Sequence, residues 1–323
     1  LFVSKITTMK INNIPLILSL FFLSSFFMNA TAADKKSETM PVTTTAAPTT
    51  SATLPKPSKF SSSYIFSYRS FEGLPAGKSP VFLKDGDMQL HILGLRYNIN
   101  EKWAARVGTA YLIHNLNLTN FGKAEDVHVE GFSDVRPSVA YVIQKKDAYS
   151  INVTLGLNLP TSPLLQDEST GEPLPPQDQI SSGTTDIMTT MTYAYSKEAW
   201  SFGEKLESVV HTSENTIGYR LGDTFAATTS ASYAIKPYII PTLSARYTDR
   251  KPLGVNHMAR PNRADKYVGS GWEGSLAVRS GVPIKNFMIG LEAGAPFYRS
   301  SNTTQYTIGQ TLWFASANVT ATF

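Results

Sequence analysis

Cysteine is absent from this chain of 323 residues, which excludes a disulfide framework and any thiolate metal site. Charge is scarce. Asp, Glu, Lys and Arg make up 17% of the residues, against roughly 25% in soluble globular proteins. The net charge of +4 is small and scattered, which argues against nucleic acid as a partner. Long apolar runs are missing too: beyond the N-terminal region no segment reaches the ~18 uninterrupted apolar residues of a membrane helix. His91, His211 and His257 have no ligand-spaced neighbours, so no metal site is expected. No glycine-rich stretch joins a strand to a helix, which leaves no phosphate loop, and no cofactor is expected.

What is present is hydrophobicity spread thinly, with 15 Tyr and 17 Phe, and it alternates. In 313–323, Trp313, Ala315, Ala317, Val319, Ala321 and Phe323 lie on one face of a strand, and Ser316, Asn318, Thr320 and Thr322 lie on the other. Period two marks a strand with one apolar and one polar face. The stretch matches the roughly 9–11 residues that a tilted strand needs to cross a bilayer. Its final Phe323 resembles the terminal aromatic by which the barrel-assembly machinery recognises outer-membrane clients, so Phe323 is expected to be an assembly signal. An ordinary last strand of a soluble sandwich shares the alternation, so the decision rests on the remainder of the chain.

Twelve such strands are expected from Phe60 onward: 60–70, 87–99, 102–114, 131–143, 148–159, 182–195, 198–211, 222–235, 238–249, 271–281, 285–296 and 306–323. Long links alternate with short ones, the short ones being Asn100-Glu101, 144–147, Ser196-Lys197, Lys236-Pro237 and 282–284. Short periplasmic turns and long external loops are the habit of membrane barrels. Trp103, Trp200, Trp272 and Trp313 fall at strand ends, where amphipathic rings settle at headgroup level. The expected fold is all-β: a transmembrane antiparallel up-and-down β-barrel of about 12 strands over 60–323. Its solvent is outer-membrane lipid, and its even strand count brings both termini to the periplasm. Glu204 dissents, because it shares a face with Trp200, Phe202 and Leu206. Either a bulge at Gly203 turns it inward or it meets another subunit.

Two segments precede the barrel. Lys5 and Lys10 lead into an apolar run from Ile14 to Met28, and Ala30-Thr31-Ala32 supplies the small residues of a cleavage site. Residues 1–33 are therefore expected to be a secretory signal peptide. Residues 34–59 are rich in Thr, Pro, Ala and Lys, with too little apolar surface to offset the entropy of ordering. They read as a disordered periplasmic leader.

Several motifs occur in order: Gly131-Phe132-Ser133-Asp134, Leu159-Pro160-Thr161-Ser162, Ser182-Gly183-Thr184-Thr185-Asp186, Tyr219-Arg220-Leu221-Gly222-Asp223 and Ala293-Gly294-Ala295-Pro296-Phe297-Tyr298. Together they resemble the outer-membrane transporter family associated with the meta-pathway of phenol degradation, over most of 88–323. Departures are Ser162, where a glycine is usual, and Ile187, where a proline often follows the aspartate. The resemblance implies a barrel that moves small, often hydrophobic or aromatic molecules, and it assigns no chemistry to the motifs. Enzymatic readings find little support. The barrel phospholipase spacing is kept by His128 and Ser138 but fails at Val142, and the pairs Asp167-Glu168 and Glu125-Asp126 read as solvated loop charges.

The function expected is a channel or transporter for passive passage of small solutes. The alternative is a closed structural barrel whose loops meet the surroundings. By parity the inward charges fall in two layers. A constriction is expected from Arg69, Asp134, Arg136, Asp186, Lys205, Glu207, Arg246, Glu273 and Glu292, with Asp186/Lys205 and Arg246/Glu273 as ion pairs. Below it, Arg96, Arg106 and Arg279 are expected to line a positive periplasmic vestibule.

Overall fold

A computed structural model describes residues 59–72, 81–120, 123–162, 180–215, 219–236, 238–251, 254–255, 269–301 and 310–323. The expected signal peptide, and the leader up to residue 58, lie outside the described residues. All the regular structure described is strand: β1 (Phe60–Glu72), β2 (Val81–Asn98), β3 (Trp103–Asn120), β4 (Lys123–Phe132), β5 (Ser138–Lys145), β6 (Tyr149–Asn158), β7 (Asp186–Lys197), β8 (Trp200–His211), β9 (Tyr219–Arg220), β10 (Thr224–Tyr233), β11 (Ile240–Arg250), β12 (Gly254–Val255), β13 (Gly269–Ile284), β14 (Phe287–Ser301) and β15 (Gln310–Thr322).

Each neighbour in the main sheet pairs antiparallel, and β1 bonds both β2 and β15, so the sheet closes on itself. β9 and β12 form a separate two-stranded ribbon. β4 and β5 share one stave beside β3, and the barrel therefore has the expected twelve staves. Closure pairs the staves on both sides along the body of the wall, which is why a barrel can span a bilayer at all.

Alternation decides the two faces. Leu93, Leu95 and Tyr97 of β2, Leu155 and Leu157 of β6, and Leu276 and Val278 of β13 are exposed on the outer face. Their sequence neighbours turn inward. Aromatic pairs ring the wall at both ends. Trp103 meets Tyr141 at 4.5 Å and Trp200 meets Tyr233 at 4.7 Å at the tight-turn end. Tyr68–Trp313 at 4.9 Å and Tyr247–Trp272 at 5.1 Å stand at the other. Phe323 lies in the first girdle. Its backbone N–H donates to the Phe60 carbonyl at 2.9 Å and the two rings are 6.2 Å apart.

Three expectations about the strands change. Lys197 pairs with Trp200 and Ile284 with Phe287, so the turn residues are Glu198-Ala199 and Lys285-Asn286, not Ser196-Lys197 and 282–284. Glu198 at φ 53° and Lys285 at φ 51° supply the positive φ that two-residue hairpins need. Apolar Val282, Ile284 and Phe287 extend the outer face into what looked like a turn. Next, β2 and β3 run beyond the expected limits at 87 and 114, to Val81 and Asn120. There the outer face is polar, with Asn115 donating to Asp87 at 3.1 Å and Asn117 to Asp85, so the hairpin outlasts the apolar alternation that reveals it. Finally, the register through Gly203 and Glu204 is continuous against both β7 and β10. No bulge turns Glu204 inward; it faces outward and accepts the Thr229 hydroxyl at 2.7 Å.

Candidate functional site

The charged residues inside the barrel sort by wall. Glu207 of β8 takes Lys205 at 2.7 Å and Arg246 of β11 at 3.4 Å. Glu273 of β13 holds Arg299 of β14, and Arg279 of β13 meets Glu292 of β14 at 3.1 Å. These pairs form a band along β8–β14, each charge offset by a neighbour as a low-dielectric site requires. The expected pairs Asp186/Lys205 and Arg246/Glu273 are not the ones that form. Arg246 and Glu273 do stand opposite each other, but Glu207 and Arg299 are the partners their side chains reach. Arg299 lay beyond the expected end of its strand, at 296. A further register shift carries β14 on: Gly274 faces Tyr298 and Ser275 faces Pro296, so Phe297 is the extra residue and Arg299 turns inward.

The expected layering also changes. Arg279 and Glu292 are cross-strand partners at one height, so Arg279 does not belong to a purely positive vestibule. Arg96 and Arg106 do share a height, directly opposite each other on β2 and β3. Arg69 faces inward between Phe314 and Met88. Apolar inward side chains gather on this same wall, with Ile65 beside Ile92 and Leu90 beside Leu112.

Asp134, Arg136 and Asp186 belong elsewhere, to a buried polar knot at the long-loop end. Tyr111 faces Phe132 and Arg106 faces Ser138, so five steps on β3 match six on its partner stave. The extra residue is a bulge within 133–137. Above Val135, which bridges Leu159, the stave leaves β6 and β4 pairs with β3 alone. Residues 181–184 pack into the corner so formed. The Asn158 amide donates to Asp134 at 2.6 Å and to Asp186 at 3.0 Å, and its carbonyl accepts Arg136 Nε at 2.9 Å. Asp134 also accepts the Ser181 hydroxyl and, at 3.1 Å, that of Ser182. Asp186 takes Thr184 Oγ1 at 2.6 Å and lies 2.7 Å from His211 Nδ1. The His211 backbone N–H donates to Asp223 at 3.1 Å, and Arg220 meets the same carboxylate at 3.3 Å. Asp134, Thr184 and Asp186 are exposed by no more than 2%.

Four of the five motifs thus meet in one network. Two glycines are required by its backbone: Gly131 at φ 153° and Gly183 at φ 66°, a region that L side chains rarely occupy. A Cβ at Gly131 would also come within 2.9 Å of Ile180. Asn158 and Ser181 escaped the sequence reading, which weighed His211 only as a metal ligand. Asn158 is an inward polar residue one step before Leu159-Pro160, and only that adjacency to a motif could have flagged it.

Among curated proteins none matches. Among solved structures, the barrel is similar to an outer membrane channel from Pseudomonas putida, with TM-score 0.61 at 10% identity, covering 84% of this chain and 97% of that one. Fainter likenesses are to the KdgM porin, with TM-score 0.42 at 7% identity over 81% and 99% of the two chains, and to the β domain of the Bordetella autotransporter BrkA, with TM-score 0.46 at 12% identity over 82% and 100%. At the first of these identities the likeness is one of fold, a closed outer-membrane barrel. Residues 84–315 match the family model described as the putative MetA-pathway of phenol degradation. With that match spanning nearly the whole barrel, the chain belongs to the family of the putative MetA-pathway of phenol degradation.

Proposed function

We propose that this barrel is a non-enzymatic outer-membrane channel for the passive passage of small solutes, hydrophobic or aromatic ones among them. The observation that carries the reading is the smallness of the inward side chains on β6 and β10. On β10 they are Thr224, Ala226, Thr228, Ser230 and Ser232, and on β6 Ser150, Asn152, Thr154 and Gly156. The largest fully buried side chains among the described residues are Thr184, Thr242 and Asp186. A barrel filled as a solid core would bury large aliphatic and aromatic residues instead. The apolar strip Ile65, Leu90, Ile92 and Leu112 on one wall suits a solute with a greasy face.

Purified protein in planar bilayers should pass steady ionic current, and liposomes carrying it should swell in small sugars or phenols. A silent barrel in both assays would return the protein to the closed structural class. The reading also sets orientation: the tight-turn end and both termini face the periplasm, the long-loop end the outside. In intact cells a cysteine at Lys251, beyond β11 at the long-loop end, should react with an impermeant maleimide, and one at Lys146 should not. The reverse pattern would invert the topology.

A further inference from the structure

Two hollows meet on the lipid-facing side of the wall. The lower is a groove of about 450 Å³ across β13, β14, β15 and β1. Its floor follows from the register. Val278, Ala293, Ala315 and Tyr68 stand in one outward row, and Ser280, Leu291, Ala317 and Phe66 in the next. Three alanine methyls thus lie between larger flanking side chains. The upper hollow is a cleft of about 480 Å³ that begins at Tyr68 and continues beyond it on β1. Ser70 and Glu72 line it from β1, Asp85 and Asp87 from β2, and Asn115 and Asn117 from β3. Lys84 lines it too, as does Leu312, the extra residue where the register of β15 steps from Trp313 to Thr311. Tyr68 belongs to the cleft and pairs with Ala315 of the groove, so the two hollows touch there.

The contact point is the girdle itself, where Tyr68 and Trp313 are 4.9 Å apart, and aromatic girdles lie at headgroup level. The apolar groove therefore faces hydrocarbon and the polar cleft faces headgroups. An acyl chain in the groove touches side chains at its flanks as well as its floor, and gains dispersion contact that a convex wall does not offer. The cleft selects the head. Among the described residues that line it, three carboxylates stand against one lysine, a balance that repels phosphate. An ionised carboxylate has about four acceptor sites. Asp85 and Asp87 can thus take hydroxyls beside the Asn117 and Asn115 amides they already accept, through charge-assisted bonds.

The geometry points to a site for one acylated sugar, its chain in the alanine groove and its hydroxyls on the carboxylates of the cleft. That this glycolipid comes from the outer leaflet rests on the orientation proposed above, whereas the binding itself does not. Native mass spectrometry tests it on the purified, detergent-folded protein, given equal amounts of a glucosyl diacylglycerol and a phosphatidylcholine with the same chains. One glucosyl lipid should be retained, with a preference of at least about tenfold. Asp87→Ala should weaken its retention by at least about tenfold and leave phosphatidylcholine unchanged. Ala317→Phe fills the groove between Leu291 and Phe66 and should weaken both lipids. If Asp87→Ala does not fold, Ala317→Phe still decides, because it adds only an apolar side chain to a lipid-facing position. Methyl glucoside in excess should not displace the lipid, since it lacks the chains. Equal retention of the two lipids, displacement by methyl glucoside, or wild-type retention in Ala317→Phe would overturn the site. A silent bilayer with the glucosyl lipid still retained would instead overturn the channel reading alone.

Discussion

Asn158→Leu should be the most destabilising single change in this barrel. Leucine has the same four side-chain heavy atoms, branched at Cγ, as asparagine, so no cavity opens in the wall. It loses the one amide that donates to Asp134 and Asp186 together, at 2.6 and 3.0 Å, and that accepts Arg136. Both carboxylates are almost wholly buried, and a buried charge robbed of a partner costs about 3–5 kcal/mol. Part of that cost is recovered by Ser181, Ser182 and Thr184, which still donate to the two aspartates. A net loss of about 2–3 kcal/mol is therefore expected in the urea unfolding of the folded barrel in lipid or detergent. Limited proteolysis should reveal the site of the damage. Residues 181–184 are held in their corner by these bonds, and the variant should be cut there while the strands stay protected. An unfolding midpoint equal to that of wild type would mean the knot is peripheral to stability.

Glu207→Gln should have the largest effect on ion selectivity. Glu207 stands between Lys205 at 2.7 Å and Arg246 at 3.4 Å. Removing its charge leaves two cations facing the lumen, and rings of positive charge favour anions. The chloride-to-potassium permeability ratio, read from the reversal potential across a salt gradient, should rise several-fold. The rise should be large in dilute salt and shrink towards 1 M, as the screening length falls from about 10 Å to about 3 Å. A reversal potential that does not move in dilute salt would place Glu207 outside the conducting path. Glu292→Gln is the matched comparison, because it leaves only Arg279 without its carboxylate and should produce a smaller shift in the same direction.

Much of this molecule is determined by short-range order that a sequence carries openly. Period-two alternation sets which side chains meet lipid and which meet the lumen, because successive Cβ atoms on a strand point to opposite faces whatever the neighbouring strand does. It therefore determines the stave count, the aromatic girdles and the inward placement of Arg96, Glu207 and Glu292. What alternation does not contain is the register between strands. The opposition of Arg96 and Arg106 depends on the turn at Asn100, whose side-chain oxygen accepts the N–H groups of Lys102 at 2.8 Å and Trp103 at 2.9 Å. A turn one residue longer would have moved the pair apart. The ion pairs were decided in the same way: Arg246 and Glu273 are opposite, but long side chains reach diagonally, and a bulge at Phe297 delivered Arg299 to Glu273 first. The knot lay furthest from view. Asp134, Asn158 and Asp186 stand on three staves, and they meet only because an extra residue after Phe132 bends one stave away and opens a corner for residues 181–184. The motif residues were visible in the sequence. Their shared purpose depended on a bulge and a closed sheet, because a hydrogen bond is fixed by distance and angle and a sequence specifies neither across strands.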